Sequence, residues 1–156
     1  MKKPIKIVLI VLCLTIILIG IGMISSGIYP TSLNLHESHF KVNDKVLSGY
    51  DLVSYFDNAP LKGNKNYKAV IDGETWFFSS EENKLKFINQ TNQYHLACGG
   101  YCAFAISKGF TAPSDPTIFH VEENQLFLFS NEVVKKEFIA NLAQSKNDLN
   151  KSWKAH

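Results

Sequence analysis

Arginine is absent from this chain; all 16 basic residues are lysines. Without guanidinium forks it has no bidentate grip on phosphate, which argues against nucleic-acid recognition. Charge points the same way. Three lysines lie within residues 1–6, whereas all 14 acidic residues follow residue 24, so the remainder carries 13 lysines against 14 carboxylates, a net charge of −1. Cysteine is scarce as well. Of three cysteines, Cys13 lies in an apolar leader, and any sulfur chemistry must start from Cys98 and Cys102. No Ser/His/Asp grouping, phosphate loop or carboxylate pair stands out, so hydrolase and kinase readings lack support and no residue is assigned a catalytic role.

What the chain has in excess is apolar sequence near its start. Residues 1–6 are lysine-rich, and residues 7–24 are uncharged and almost wholly apolar, a run long enough to cross a bilayer. Lysines stay on the cytoplasmic side, so the expectation is a single-pass inner-membrane anchor with the following domain on the periplasmic, extracytoplasmic face. A cleaved signal peptide is the competing reading; its apolar region is usually shorter, and only Ser25-Ser26-Gly27 stands in for a small-residue cleavage site. Residues 25–39 are polar, broken by Gly27 and Pro30, and read as a linker. His36, His39 and, at the other terminus, His156 fall in these tails and are expected to be solvated.

Residues 40–156 form the remaining domain. Phe40 to Leu47 alternates around a turn-forming Asn43-Asp44, and Asp51 is placed to cap a short helix with Leu52, Val53, Tyr55 and Phe56 as its apolar face. After a loop at residues 58–66, Tyr67–Ile71 and Thr75–Phe78 flank Asp72-Gly73, a hairpin signal. Ser79 with Glu82 reads as a capping box opening a helix that buries Leu85, Phe87 and Ile88. A second unit has the same design 51 residues later: Phe78-Ser79-Ser80-Glu81, Lys84 and Phe87 align with Phe129-Ser130-Asn131-Glu132, Lys135 and Phe138, and Asp72-Gly73 aligns with Glu123-Asn124. Shared capping chemistry is the alternative source of that similarity. A terminal helix over 141–153 packs Leu149 and Trp153 onto the core. The predicted fold is α+β, with small antiparallel hairpins on short helices rather than a parallel sheet.

Between the two units lies Cys98-Gly99-Gly100-Tyr101-Cys102. Tyr101 to Lys108 reads as a short buried helix stopped by Gly109, putting Cys102 in a first turn where backbone N–H groups favour a thiolate. His95, Cys98 and Cys102 offer one nitrogen and two sulfurs, a donor set suited to copper or zinc, with His120 or Asp115 as a fourth ligand. Two further readings remain open. One is thiol/disulfide exchange between Cys98 and Cys102 with a thiol partner protein. The other is a non-catalytic interaction or small-ligand module whose cysteines, like Tyr50, Tyr55, Trp76, Phe77 and Phe78, are simply packed.

Several of these motifs together, Gly49-Tyr50-Asp51-Leu52-Val53-Ser54-Tyr55-Phe56, Lys62-Gly63, Trp76, Tyr94, Gly99-Gly100-Tyr101-Cys102-Ala103 and Asp115-Pro116, resemble the bacterial YHS domain-containing (seleno)protein family over residues 40–154. The resemblance implies that Cys102 occupies the family's Gly-Gly-Tyr-Cys-Ala position; the family's label implies selenocysteine in some relatives, which fits redox use of a sulfur site, and the resemblance also implies metal handling, copper especially. Two positions depart from the family's pattern: Leu52 replaces a proline, and Cys98 replaces an aromatic.

Overall fold

Three two-residue turns set the β-structure of the chain, whose computed structural model describes residues 2–154. Asn43-Asp44, Asp72-Gly73 and Glu123-Asn124 hold φ between 48° and 81° at both positions, the turn geometry whose twist matches paired strands. They join β1 (Lys41–Val42) to β2 (Lys45–Val46), β3 (Asn64–Ile71) to β4 (Glu74–Phe78), and β6 (Asp115–Glu122) to β7 (Gln125–Phe129). The expected hairpins are therefore present, with β3 beginning inside the segment read as a loop. A short strand β5 (His95–Leu96) adds to β7 in parallel, giving a three-stranded sheet in the order β5-β7-β6. That parallel pair is an addition to the antiparallel scheme.

The 51-residue repeat extends well beyond the ten aligned positions. In β3/β4 the pairs run from Asn64↔Phe78 through a bulge to Lys68↔Phe77 and Ile71↔Glu74; in β6/β7 they run from Asp115↔Phe129 through a bulge to Phe119↔Leu128 and Glu122↔Gln125. Every partner, and the bulge, is displaced by the same interval. Helices α2 (Glu81–Asn89) and α4 (Glu132–Ala140) obey it too. Upstream, Leu47, Ser48 and Gly49 (φ 54°, 54° and 80°) correspond to Cys98, Gly99 and Gly100 (φ 42°, 59° and 82°). The bonds that follow also correspond: Tyr50 N donates to Leu47 O as Tyr101 N does to Cys98 O, and Asp51 N donates to Leu61 O as Cys102 N does to Ala112 O. Shared capping chemistry explains none of these, so the domain is two copies of one unit.

Two apolar clusters follow from the duplication, and β7 lies between them. Leu126 and Leu128 join Val46, Leu52, Tyr55, Trp76, Phe78 and Phe87, while Phe127 and Phe129 join Ala103, Ile106 and Phe138 on the other side. Alternate residues of a strand point to opposite faces, so a strand covered on both reads as the unbroken run Leu-Phe-Leu-Phe. The units are further joined where the Tyr55 hydroxyl donates to Pro116 O at 2.8 Å and its ring meets Phe119 edge-on at 5.1 Å. Helix α5 (Leu142–Ser152) matches the predicted terminal helix and buries Leu149.

Capping differs from the predicted box. Ser80, not Ser79, accepts from Asn83 N at the start of α2, because the Ser79 hydroxyl is bound to Asp51. Leu85 and Ile88 are both 47% exposed, leaving Phe87 as the anchor of that helix.

The N-terminal helix α1 (Lys2–Ser25) is apolar over Ile5–Ser25, with a length and composition that a membrane span and a signal sequence share. It ends in a glycine cap: Gly27, at φ 72°, donates to Ile24 O, and Ile28 N donates to Met23 O. The following residues are not a free linker. Thr31 N donates to Gly109 O, Thr111 N to Tyr29 O, and Tyr29 N to the Thr111 hydroxyl, which donates in turn to Gly27 O. His36, expected in solvent, is 6% exposed and stacks on Trp153 at 4.6 Å; His39 meets Trp76 edge-on at 5.4 Å. His156 lies outside the described residues. The polar composition of residues 25–39 hid this docking, since two aromatic rings from distant elements cover the imidazoles.

Candidate functional site

The turn from Ala97 to Gly100 positions both cysteines. Three successive positive φ angles fold the chain back beneath residues 38–40, and Phe40 N donates to Gly99 O at 2.8 Å. Helix α3 (Ala103–Ser107) starts one residue after Cys102, which sits at its boundary with extended backbone and makes no side-chain cap. The predicted helix from Tyr101 is thus shorter, and the two cysteines lie on either side of a turn rather than on one helix. Cys98 is 4% exposed and Cys102 1%, and both are free thiols. The Cys98 thiol donates to Tyr101 O at 3.5 Å, and the Cys102 thiol to the Ser130 hydroxyl at 3.6 Å.

Burial, and secondarily the neighbouring Cys102, push the Cys98 thiol far above its ordinary range. Without a partner that displaces its proton, such a thiol is a poor nucleophile. Nor are the other expected ligands gathered around it. His95 is exposed on β5, opposite Gln125, whereas His120 lies on β6, opposite Phe127, with β7 between them. Asp115 accepts from the amide and hydroxyl of Thr117. Among the described residues no group of three His, Cys, Asp or Glu side chains is disposed to hold a metal ion.

The duplication shows what the two cysteines replace. Cys98 stands where the first unit has the core residue Leu47, and Cys102 stands where it has Asp51. Asp51 is fully buried and accepts four hydrogen bonds: Oδ1 from Val53 N (2.9 Å), and Oδ2 from Ser79 N (2.9 Å), the Ser79 hydroxyl (2.6 Å) and Asn83 Nδ2 (2.7 Å). It thereby ties the segment after Gly49 to the end of β4 and the start of α2. In the second unit Ser130 corresponds to Ser79 and Val134 to Asn83, so Cys102 inherits a socket with fewer polar partners. In a Cys13→Ala background, Ellman's reagent is expected to leave both remaining thiols unmodified in the folded protein and to titrate them only after unfolding. Rapid native reaction of either would favour the redox reading.

A second feature was not singled out from the sequence. A half-enclosed cleft of about 380 Å³ opens beside the first unit, lined by Trp76, Phe87, Tyr94 and Leu96, with His39, Asp72, Asn92 and His95 as polar groups. Burial lowers the pKa of His39, against the opposing effect of Glu74, and no protein group among the described residues bonds its Nδ1. The same interval carries Ile71, Asp72 and His95 onto Glu122, Glu123 and Lys146. There the ammonium of Lys146 bridges both carboxylates, and α5 runs on where the first unit's chain instead turns into β5. At the second unit's counterpart an ion pair and α5 thus take the place that His95 and β5 hold beside the first unit's cleft. The sequence signal that would have found this place is the pairing of His95 with Lys146 across the repeat.

Comparison with protein-family models, with curated proteins and with solved structures finds no match to the chain.

Proposed function

We propose that the chain is an anchored, extracytoplasmic binding module whose one YHS-like domain is built from two copies of a unit, and that the open cleft of the first unit is its ligand site. The difference between the two halves carries this reading. A cleft of this volume falls in the range of small-molecule sites, and its lining of aromatic side chains with a few convergent polar groups has the usual character of such sites. Its chemistry suits a flat, mainly apolar ring bearing a polar substituent. The indole of Trp76 and the rings of Phe87 and Tyr94 supply apolar area, and the imidazoles with Asp72 supply directional bonds.

Saturation-transfer NMR with indole and 2-naphthol as probes tests the site on the full chain in detergent. Transfer to at least one probe is expected from the wild type and is expected to be lost in Asn92→Trp, which fills the mouth from an exposed position without touching the core. Transfer that persists in that variant, or none from either probe, overturns the assignment.

A further inference from the structure

We infer that the surface formed by Phe104, Lys108 and Phe110 rests in the interfacial zone of the same bilayer that α1 crosses, with a phospholipid acyl chain entering the hollow beside it. The inference rests on α1 being a membrane span and is independent of the ligand cleft. The end of α1 is tied to this surface by backbone bonds. The glycine cap at Gly27 is followed at once by the bonds from Tyr29 and Thr31 to Thr111 and Gly109, and Pro30 bridges to Phe110. No slack chain separates the last turn of the span from the domain.

Met23 and Ile28, the two residues that the cap brings together at the end of the span, also line a hollow of about 330 Å³ with Phe104, Ala105, Phe110 and Ala112. Apart from Lys108 and Thr111 its walls are apolar, and Thr111 is fully buried with its hydroxyl spent on Gly27 O. Phe110 is 40% exposed. The Lys108 ammonium sits 5.0 Å from the centre of the Phe104 ring, an apolar body with a cationic tip, the arrangement by which lysine lies along apolar surface and reaches headgroup phosphate. An apolar hollow whose lining includes the terminal residues of a span is continuous with the surface that span already shares with lipid. The bilayer is thus the occupant that the covalent geometry delivers to it.

The test uses the full chain in phosphatidylethanolamine/phosphatidylglycerol nanodiscs. Phe110→Trp should add emission that is blue-shifted and quenched about twofold or more by lipids brominated near the headgroup end of the acyl chain, as for interfacial residues. Val70→Trp, on exposed β3, should add emission that is red and unquenched. In the unsubstituted chain, Lys108 should be acylated several-fold more slowly than Lys68 by a water-soluble reagent. Unquenched, water-like emission from Phe110→Trp, or equal acylation of the two lysines, overturns the inference. Failure of the chain to co-purify with the nanodiscs overturns it by removing the span itself, leaving the cleft assignment untouched.

Discussion

Asp51→Ala should lower the stability of the domain by about 3 kcal/mol or more, because it strands several buried donors at once. Val53 N, Ser79 N, the Ser79 hydroxyl and Asn83 Nδ2 all converge on this one side chain. Each donor left buried without an acceptor costs on the order of 1–3 kcal/mol, reduced where water can reach it. For a domain of this size the melting temperature should fall by roughly 10 °C or more. Cys102→Ala, at the corresponding position of the other unit, should cost only about 1 kcal/mol, since it removes one small buried side chain and one weak sulfur contact. Thermal and urea denaturation of the two variants measures the contrast directly. Equal losses at the two positions would mean that Cys102 has taken over the organising role of the carboxyl group, and the reading of an emptied socket would fail.

The second large effect is expected at Gly99. A Cβ there would lie 2.0 Å from Ser38 O and 3.2 Å from His39 Cα, both backbone atoms that no rotamer change can move aside. The positive φ alone is not the obstacle. Ser48 holds φ 54° at the matching place in the first unit with a side chain attached. What distinguishes Gly99 is the segment crossing over it, which donates Phe40 N to Gly99 O. Gly99→Ala should therefore displace residues 38–40, release His39 from Trp76, and cost about 3 kcal/mol or more. Tryptophan emission and denaturation would register both changes. Gly100→Ala is the internal control: its nearest neighbour is a flexible methyl of Leu96 at 3.3 Å, so only the cost of positive φ, on the order of 1 kcal/mol, should appear. Similar costs at the two glycines would show that residues 38–40 yield easily and do not hold the turn.

These two positions also show why the sequence disclosed only part of the fold. Hairpins at Asp72-Gly73 and Glu123-Asn124 were legible, because turn residues between apolar runs carry their own conformational signal. The duplication was legible only from the hairpin turns at Asp72-Gly73 and Glu123-Asn124 onward. In the upstream stretch Leu47 and Ser48 adopt left-handed backbone without glycine, so Val46-Leu47-Ser48-Gly49-Tyr50-Asp51 and Ala97-Cys98-Gly99-Gly100-Tyr101-Cys102 share little beyond Gly and Tyr. The four proposed ligands His95, Cys98, Cys102 and His120 were chosen by residue type and proximity in sequence. The separation of His95 from His120 follows from β7 lying between them, a sheet order that local pattern does not carry. The cleft was hidden for a related reason: Trp76 and Phe87 announce themselves as core, which they are, and the hollow beside them depends on where the chain turns into β5.

Proteins made of repeated modules can usually gain or lose a copy, since each module keeps its own interior. Here a single ribbon, β7, is the wall between two rooms, and its leucines close the neighbour's while its phenylalanines close its own. Neither half is self-sufficient: cut apart at residue 90, the first would lack its far wall and the second would present a greasy flank to water. Ancestry in two pieces has become cooperation in one, and the pair should melt together.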